Sequence, residues 1–132
     1  MSLKDKAIDV HDNGFNCAQS VLAACTELTG LDERTSKMIA GGLGGGVRCG
    51  EICGALIGAT IAIGCAYPYT EEGDLDGATA IAAKTKECTK CFREKFGCLR
   101  CLDLKKAGIS CDETISYAVE IAEEIIRNKN EE

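Results

Sequence analysis

The chain has 132 residues, 45% hydrophobic and 27% charged, which is one domain's worth of chain with enough apolar side chains for a core and too many for a disordered acidic tail. Fifteen Lys and Arg against twenty-one Asp and Glu leave a net charge of -6, and there is no Trp. With no Lys/Arg block longer than two residues, nucleic acid is not an expected partner.

Apolar residues recur at three-to-four spacing along nearly the whole chain, and no period-two run interrupts them, so the expected fold is all-α: a single-domain helical bundle (1–132) of about six or seven helices. A first short helix runs from Leu3 to Asp12 and stops at Asn13-Gly14. Asn16 caps a second, with Gln19 three residues on completing a capping box, and that helix reaches Thr29 before Gly30 ends it. Asp32 caps a third helix through about Leu43, and Gly44, Gly45 and Gly46 then break the regularity. A fourth spans about Glu51 to Ala66 ahead of Pro68. After Gly73, Asp74 opens a long helix ending near Gly97, and a short helix to Lys106 and Gly108 follows. Ser110 and Glu113 form a second capping box, opening a last helix with Ile115, Ala118, Val119, Ala122, Ile125 and Ile126 on one face.

The longest uncharged stretch, Ile52 to Tyr69, is cut by Pro68 and interrupted by Gly and Cys, so a buried core helix is expected there and not a membrane span. Met1 to Val10 is rich in Lys and Asp and has no apolar run, so no secretory signal is expected and the cytoplasm is the expected location. A reducing compartment disfavours structural disulfides for ten cysteines and points to metal ligands or redox thiols.

The stretch Gly41 to Gly46 fits neither phosphate-binding glycine motif and follows a helix, so it does not predict a nucleotide site. Gly42, Gly46, Gly50, Gly54 and Gly58 are each four apart, and Ala62 and Ala66 continue the row. The row predicts a smooth helix face buried against another backbone or a cofactor.

Two C-x-x-C units, Cys88/Cys91 and Cys98/Cys101, lie too close together for a zinc ribbon. Neither is followed by His, which excludes c-type haem attachment, and no ferredoxin run ending in Cys-Pro occurs. Placement says more than spacing. Cys17 follows the cap Asn16, Cys111 follows the cap Ser110, Cys53 falls in the first turn of the fourth helix, and Cys101 lies early in the short helix. Free amides and the helix dipole favour negative charge at such positions and lower a thiol's pKa, so convergence on an anionic centre held by four thiolates is expected.

The segments Asn16-Cys17-Ala18-Gln19-Ser20, Gly50-Glu51-Ile52-Cys53-Gly54-Ala55-Leu56-Ile57-Gly58, Phe96-Gly97 ahead of Cys101, and Cys111 resemble the C_GCAxxG_C_C family of redox-active, cysteine-rich proteins over nearly the whole chain. That resemblance implies an origin in anaerobes. It places the family's four recurrent cysteines on Cys17, Cys53, Cys101 and Cys111 and makes an iron-sulfur cluster the implied cofactor. Six further cysteines depart from the pattern. Cys49, Cys88, Cys91 and Cys98 are spare ligands or redox thiols, and Cys25 and Cys65 read as small core residues. His11, the sole imidazole, reads as a surface or packing residue.

The leading functional expectation is electron transfer through an iron-sulfur cluster on cysteine thiolates. Two alternatives stand beside it: a metal-free thiol-disulfide oxidoreductase or sensor using pairs such as Cys88/Cys91 or Cys49/Cys53, and a zinc- or copper-binding protein. A redox partner protein is expected, a homodimer is left open, and no catalytic residue is assigned.

Overall fold

A computed structural model describes residues 1–129. The fold is all-α: α1 (Leu3–Asp12), α2 (Cys17–Ala24), α3 (Thr26–Thr29), α4 (Glu33–Ala40), α5 (Gly54–Ala66), α6 (Leu75–Phe96), α7 (Cys101–Lys106) and α8 (Cys111–Lys129), with a single π-type turn at Gly46–Gly50. Among the described residues no helix is long and apolar enough to cross a membrane.

α2 and α5 lie at the centre. α2 packs on α1, α4 and α5, and α5 packs in turn on α6 and α8. The core joins Ala18, Val21 and Leu22 of α2 to Ala55, Leu56, Ala59 and Ile63 of α5 and to Ile115, Val119 and Ala122 of α8. The long outer helix α6 is pinned to α8 by Phe92, Phe96 and Tyr117, with ring centroids 4.8 Å apart for the two Phe and 5.5 Å for Phe96 and Tyr117.

Three boundaries differ from the sequence expectation. The predicted second helix divides at Cys25, whose φ of -95° and ψ of 20° break the line between α2 and α3. That division adds a helix to the six or seven expected. α4 ends at Ala40 instead of Leu43, and Gly41 to Arg48 fold into a loop in which the Arg48 side chain donates to the Gly41 carbonyl at 2.7 Å. The fourth predicted helix starts at Gly54 and not at Glu51, because the chain around Ile52 pairs in antiparallel fashion with that around Arg100.

The glycine row is only partly buried. Gly42 is exposed and a side chain there would meet nothing. Gly46 and Gly50 lie in the turn at φ of 66° and 75°, so they serve the backbone's left-handed path and not a helix face. Only the α5 portion follows the expectation: a Cβ on Gly58 would stand 2.9 Å from the Ala18 carbonyl oxygen, so α2 and α5 touch backbone to backbone there.

Candidate functional site

Each of the four cysteines singled out by position sits at the start of a helix. At α2 the Asn16 side chain accepts from the Gln19 amide at 2.9 Å, and the Gln19 side chain accepts from the Asn16 amide at 3.0 Å. Asn16 also donates to the Gly41 carbonyl at 3.1 Å, and Gln19 to the Lys37 carbonyl at 3.0 Å, so one capping box fixes both the helix start and the loop beside it. Cys17 follows as the first helical residue, held in place from both sides.

Cys53 is the N-cap of α5, and Cys101 is the first residue of α7. The two are tied together: the Cys53 amide donates to the Leu99 carbonyl at 2.8 Å and the Cys101 amide to the Glu51 carbonyl at 2.6 Å. Around this pairing both cysteines are buried, while Ile52 and Arg100 are exposed. Cys111 opens α8 through the second capping box, in which Ser110 donates its amide to Glu113 at 2.8 Å and accepts from the Glu113 amide at 3.2 Å. Thr114, one turn on, donates to the Cys111 carbonyl at 3.0 Å.

The four helix starts meet. Cys17, Cys53, Cys101 and Cys111 line one cavity of about 180 Å³, together with His11, Asn16, Gly45, Lys105 and Thr114, among others. Cys17, Cys53 and Cys101 are buried in its wall and Cys111 is exposed at its edge. Gly54 lets Cys17 come this close, since a Cβ there would stand 2.6 Å from the Cys17 sulfur. His11, read from sequence as a surface or packing residue, also reaches the cavity. Its Nδ1 lies 3.0 Å from the Phe15 carbonyl and its Nε2 4.0 Å from Asp112. A carbonyl can only accept, so Nδ1 carries the proton.

The remaining cysteines line other parts of the molecule. Cys49 is exposed on the π-type turn, 3.4 Å from the Gly46 carbonyl, and Cys88 is buried in α6. Cys91 and Cys98 are half-buried, packed against the core. Cys25 is fully buried, as expected, but Cys65 is exposed. α5 is apolar on every side, so its sequence holds no polar stripe from which to tell the outward face. All ten thiols are free, and among the described residues no three His, Cys, Asp or Glu side chains stand close enough together to grip one metal ion.

At Cys53 and Cys111 burial outweighs the expected effect of the helix ends on acidity. The Cys53 thiol is pushed up to about 11 by desolvation, although the Leu56 and Ala55 amides at the start of α5 pull the other way. Cys111 is raised by desolvation and by the neighbouring Cys17 and Cys101, with Lys105 opposing. Burial also pushes Cys25 and Cys88 up to about 12.

These shifts have a sign in stability. An unfolded thiol ionises near 9, while the folded Cys53, Cys25 and Cys88 still hold their protons, so the folded state binds more protons above that pH and stability falls as pH rises. The contribution is complete below about pH 9 and is lost through the range of the folded values. Each thiol adds at most about 1.4 kcal/mol of loss per pH unit. Urea denaturation of the reduced protein is therefore expected to give a flat midpoint up to about pH 8.5 and a steep decline by pH 10.5; a midpoint unchanged across that range would contradict the burial of these thiols.

Residues 15–125 match the family described as "Putative redox-active protein (C_GCAxxG_C_C)". No curated protein and no solved structure matches the chain.

Proposed function

The chain belongs to the C_GCAxxG_C_C family of redox-active proteins, and from that membership we propose that it is an electron-transfer protein holding an iron-sulfur cluster on Cys17, Cys53, Cys101 and Cys111. The observation that carries the reading is the meeting of these four cysteines, each from its own helix start, on one cavity. The donor set suits such a cluster, which is bound by four thiolates and, when present, exchanges single electrons.

The cavity and its surroundings favour this reading over the two alternatives. A single zinc ion with bonds of about 2.3 Å needs sulfurs within roughly 4 Å of one another, whereas no such tight set occurs among the described residues. A space of about 180 Å³ with these thiols in its lining accommodates a larger, polynuclear group. Thiol-disulfide exchange needs an attacking thiolate, and burial works against that form by pushing the Cys53 thiol up to about 11 and raising that of Cys111. A metal removes those protons by its own charge, so loading releases protons and weakens as pH falls.

The chain's own groups set up this chemistry. The amides at the starts of α2, α5, α7 and α8 and the Lys105 ammonium present positive potential to the cavity, which stabilises thiolates once formed. His11 holds its proton at Nδ1 against the Phe15 carbonyl, which fixes the ring at the cavity. The reducing cytoplasm is the setting that keeps ten thiols in this state.

The test is metal and sulfide analysis after anaerobic reconstitution with iron and sulfide. A brown protein with broad visible absorption and stoichiometric iron and sulfide is expected. Colourless protein retaining zinc or copper instead would establish a metal-binding role, and colourless, metal-free protein whose thiols titrate reversibly would establish thiol exchange.

A further inference from the structure

The pairing of residues 51–53 with 99–101 puts two of the cavity's cysteines directly beneath an exposed surface. Ile52 adjoins Cys53 and Leu102 adjoins Cys101; both are exposed, at 38% and 42%, as is Val47 at 47% on the neighbouring turn. The pieces form one face. A Cβ on Gly50 would stand 3.3 Å from that of Leu102, the Arg100 guanidinium lies 3.3 Å from Glu51, and the turn packs on α7.

The charge of this face is opposite to that of the molecule. Segments 45–52 and 99–106 carry Arg48, Arg100, Lys105 and Lys106 against Glu51 and Asp103, a net of +2, while the whole chain is -6. The rest of the chain therefore carries -8, and this face joins its three exposed apolar side chains to a local excess of cations. A small apolar centre with a charged rim is the anatomy of a weak, transient redox contact.

Resting on the electron-transfer reading, we infer that the face formed by Val47, Ile52 and Leu102 within the rim of Arg48, Arg100 and Lys106 docks an acidic one-electron carrier protein of the reduced-flavin or iron-sulfur type. Electrostatic complementarity guides such encounters and sets their salt dependence. A carrier docked there would lose one electron and a cluster held by Cys53 and Cys101 would gain it, across the Ile52–Cys53 and Cys101–Leu102 backbone, with no bond or proton exchanged at the interface.

The probe is an acidic flavodoxin added to the nitrogen-15-labelled reduced protein, with amide shifts followed by NMR. The largest shifts are expected at residues 47–52 and 99–106, fading as salt is raised, because attraction between opposite charges is screened. The double variant Leu102→Ser, Lys106→Glu changes two exposed residues and is expected to weaken binding about tenfold or more, as loss of an apolar anchor together with reversal of a rim charge predicts.

Shifts concentrated elsewhere, binding that strengthens with salt as the net charge of -6 would dictate, or an unaffected double variant would each overturn the inference. So would shifts of these same amides on changing protein concentration alone, which would assign the face to a second copy of the chain. Docking is read on the thiol form. A failure of cluster binding, seen in iron and sulfide content, is thereby distinguished from a failure of this surface.

Discussion

Cys53→Ser and Cys111→Ser are each expected to retain iron and sulfide at least about tenfold less well than the unaltered chain after anaerobic reconstitution, because a serine hydroxyl does not ionise to replace a thiolate ligand. The two report on different parts of the site. Cys53 is buried and ties α5 to the 99–101 segment through its backbone amide, whereas Cys111 is exposed at the cavity's edge. If stability alone governed uptake, Cys53→Ser would fail and Cys111→Ser would not, so loss in both identifies liganding and not fold damage. Cys65→Ser and Cys49→Ser serve as controls, since neither residue lines the cavity, and both are expected to load in full. Full uptake by Cys53→Ser and Cys111→Ser, with thermal stability intact, would remove these residues from the ligand set.

Gly54→Leu is expected to destabilise the fold by about 1 to 3 kcal/mol, the usual cost of forcing carbons into packed space. The first carbon alone would lie 2.6 Å from the Cys17 sulfur and 2.8 Å from the Leu43 carbonyl oxygen. No rotamer of a longer side chain relieves a clash made by Cβ. Even Gly54→Ala should therefore lose stability despite the better helix propensity of alanine. Gly64, on the same helix, provides the contrast: a Cβ there meets nothing within 4 Å, so Gly64→Ala should stabilise by about 0.4 to 1 kcal/mol. Urea midpoints with unchanged slope would measure both. A neutral Gly54→Leu would show that α5 and Cys17 are less tightly apposed than the structure places them.

What was legible in the sequence was local. The capping boxes at Asn16 and Ser110 are spaced three residues apart, so the starts of α2 and α8, and with them Cys17 and Cys111, could be placed from neighbours alone. The amphipathic face of α8 was legible from local spacing as well. The start of α5 was not, because Cys53 is held out of the helix by a hydrogen bond to Leu99, 46 residues away, and periodicity carries no record of such a partner. Cys65 was misplaced because an all-apolar helix has no polar side to orient it. The turn around Gly46 was legible as a break but not in its shape: Val47 and Arg48 adopt φ of 57° and 62°, and neither residue type signals a left-handed backbone. His11 gave no signal either, since its place at the cavity follows from the reversal at Gly14 and Phe15 and not from its own helix.

The four cysteines also have an order along the chain, and that order makes the site a checkpoint on completion of the fold. Cys17 lies on the second helix and Cys111 opens the last, so the cavity has no fourth wall until α8 has docked against α1 and α5. During synthesis Cys17, Cys53 and Cys101, which with Cys111 are separated by 35, 47 and 9 intervening residues, wait for Cys111 to emerge. Any group that bridges them acts afterwards as a cross-link, closing loops whose freedom in the unfolded chain is worth roughly 3 to 4 kcal/mol each for the two longer ones if fully restrained. On the proposed reading loading would for this reason be coupled to folding: a chain that stops short of α8 would have no complete cavity to load.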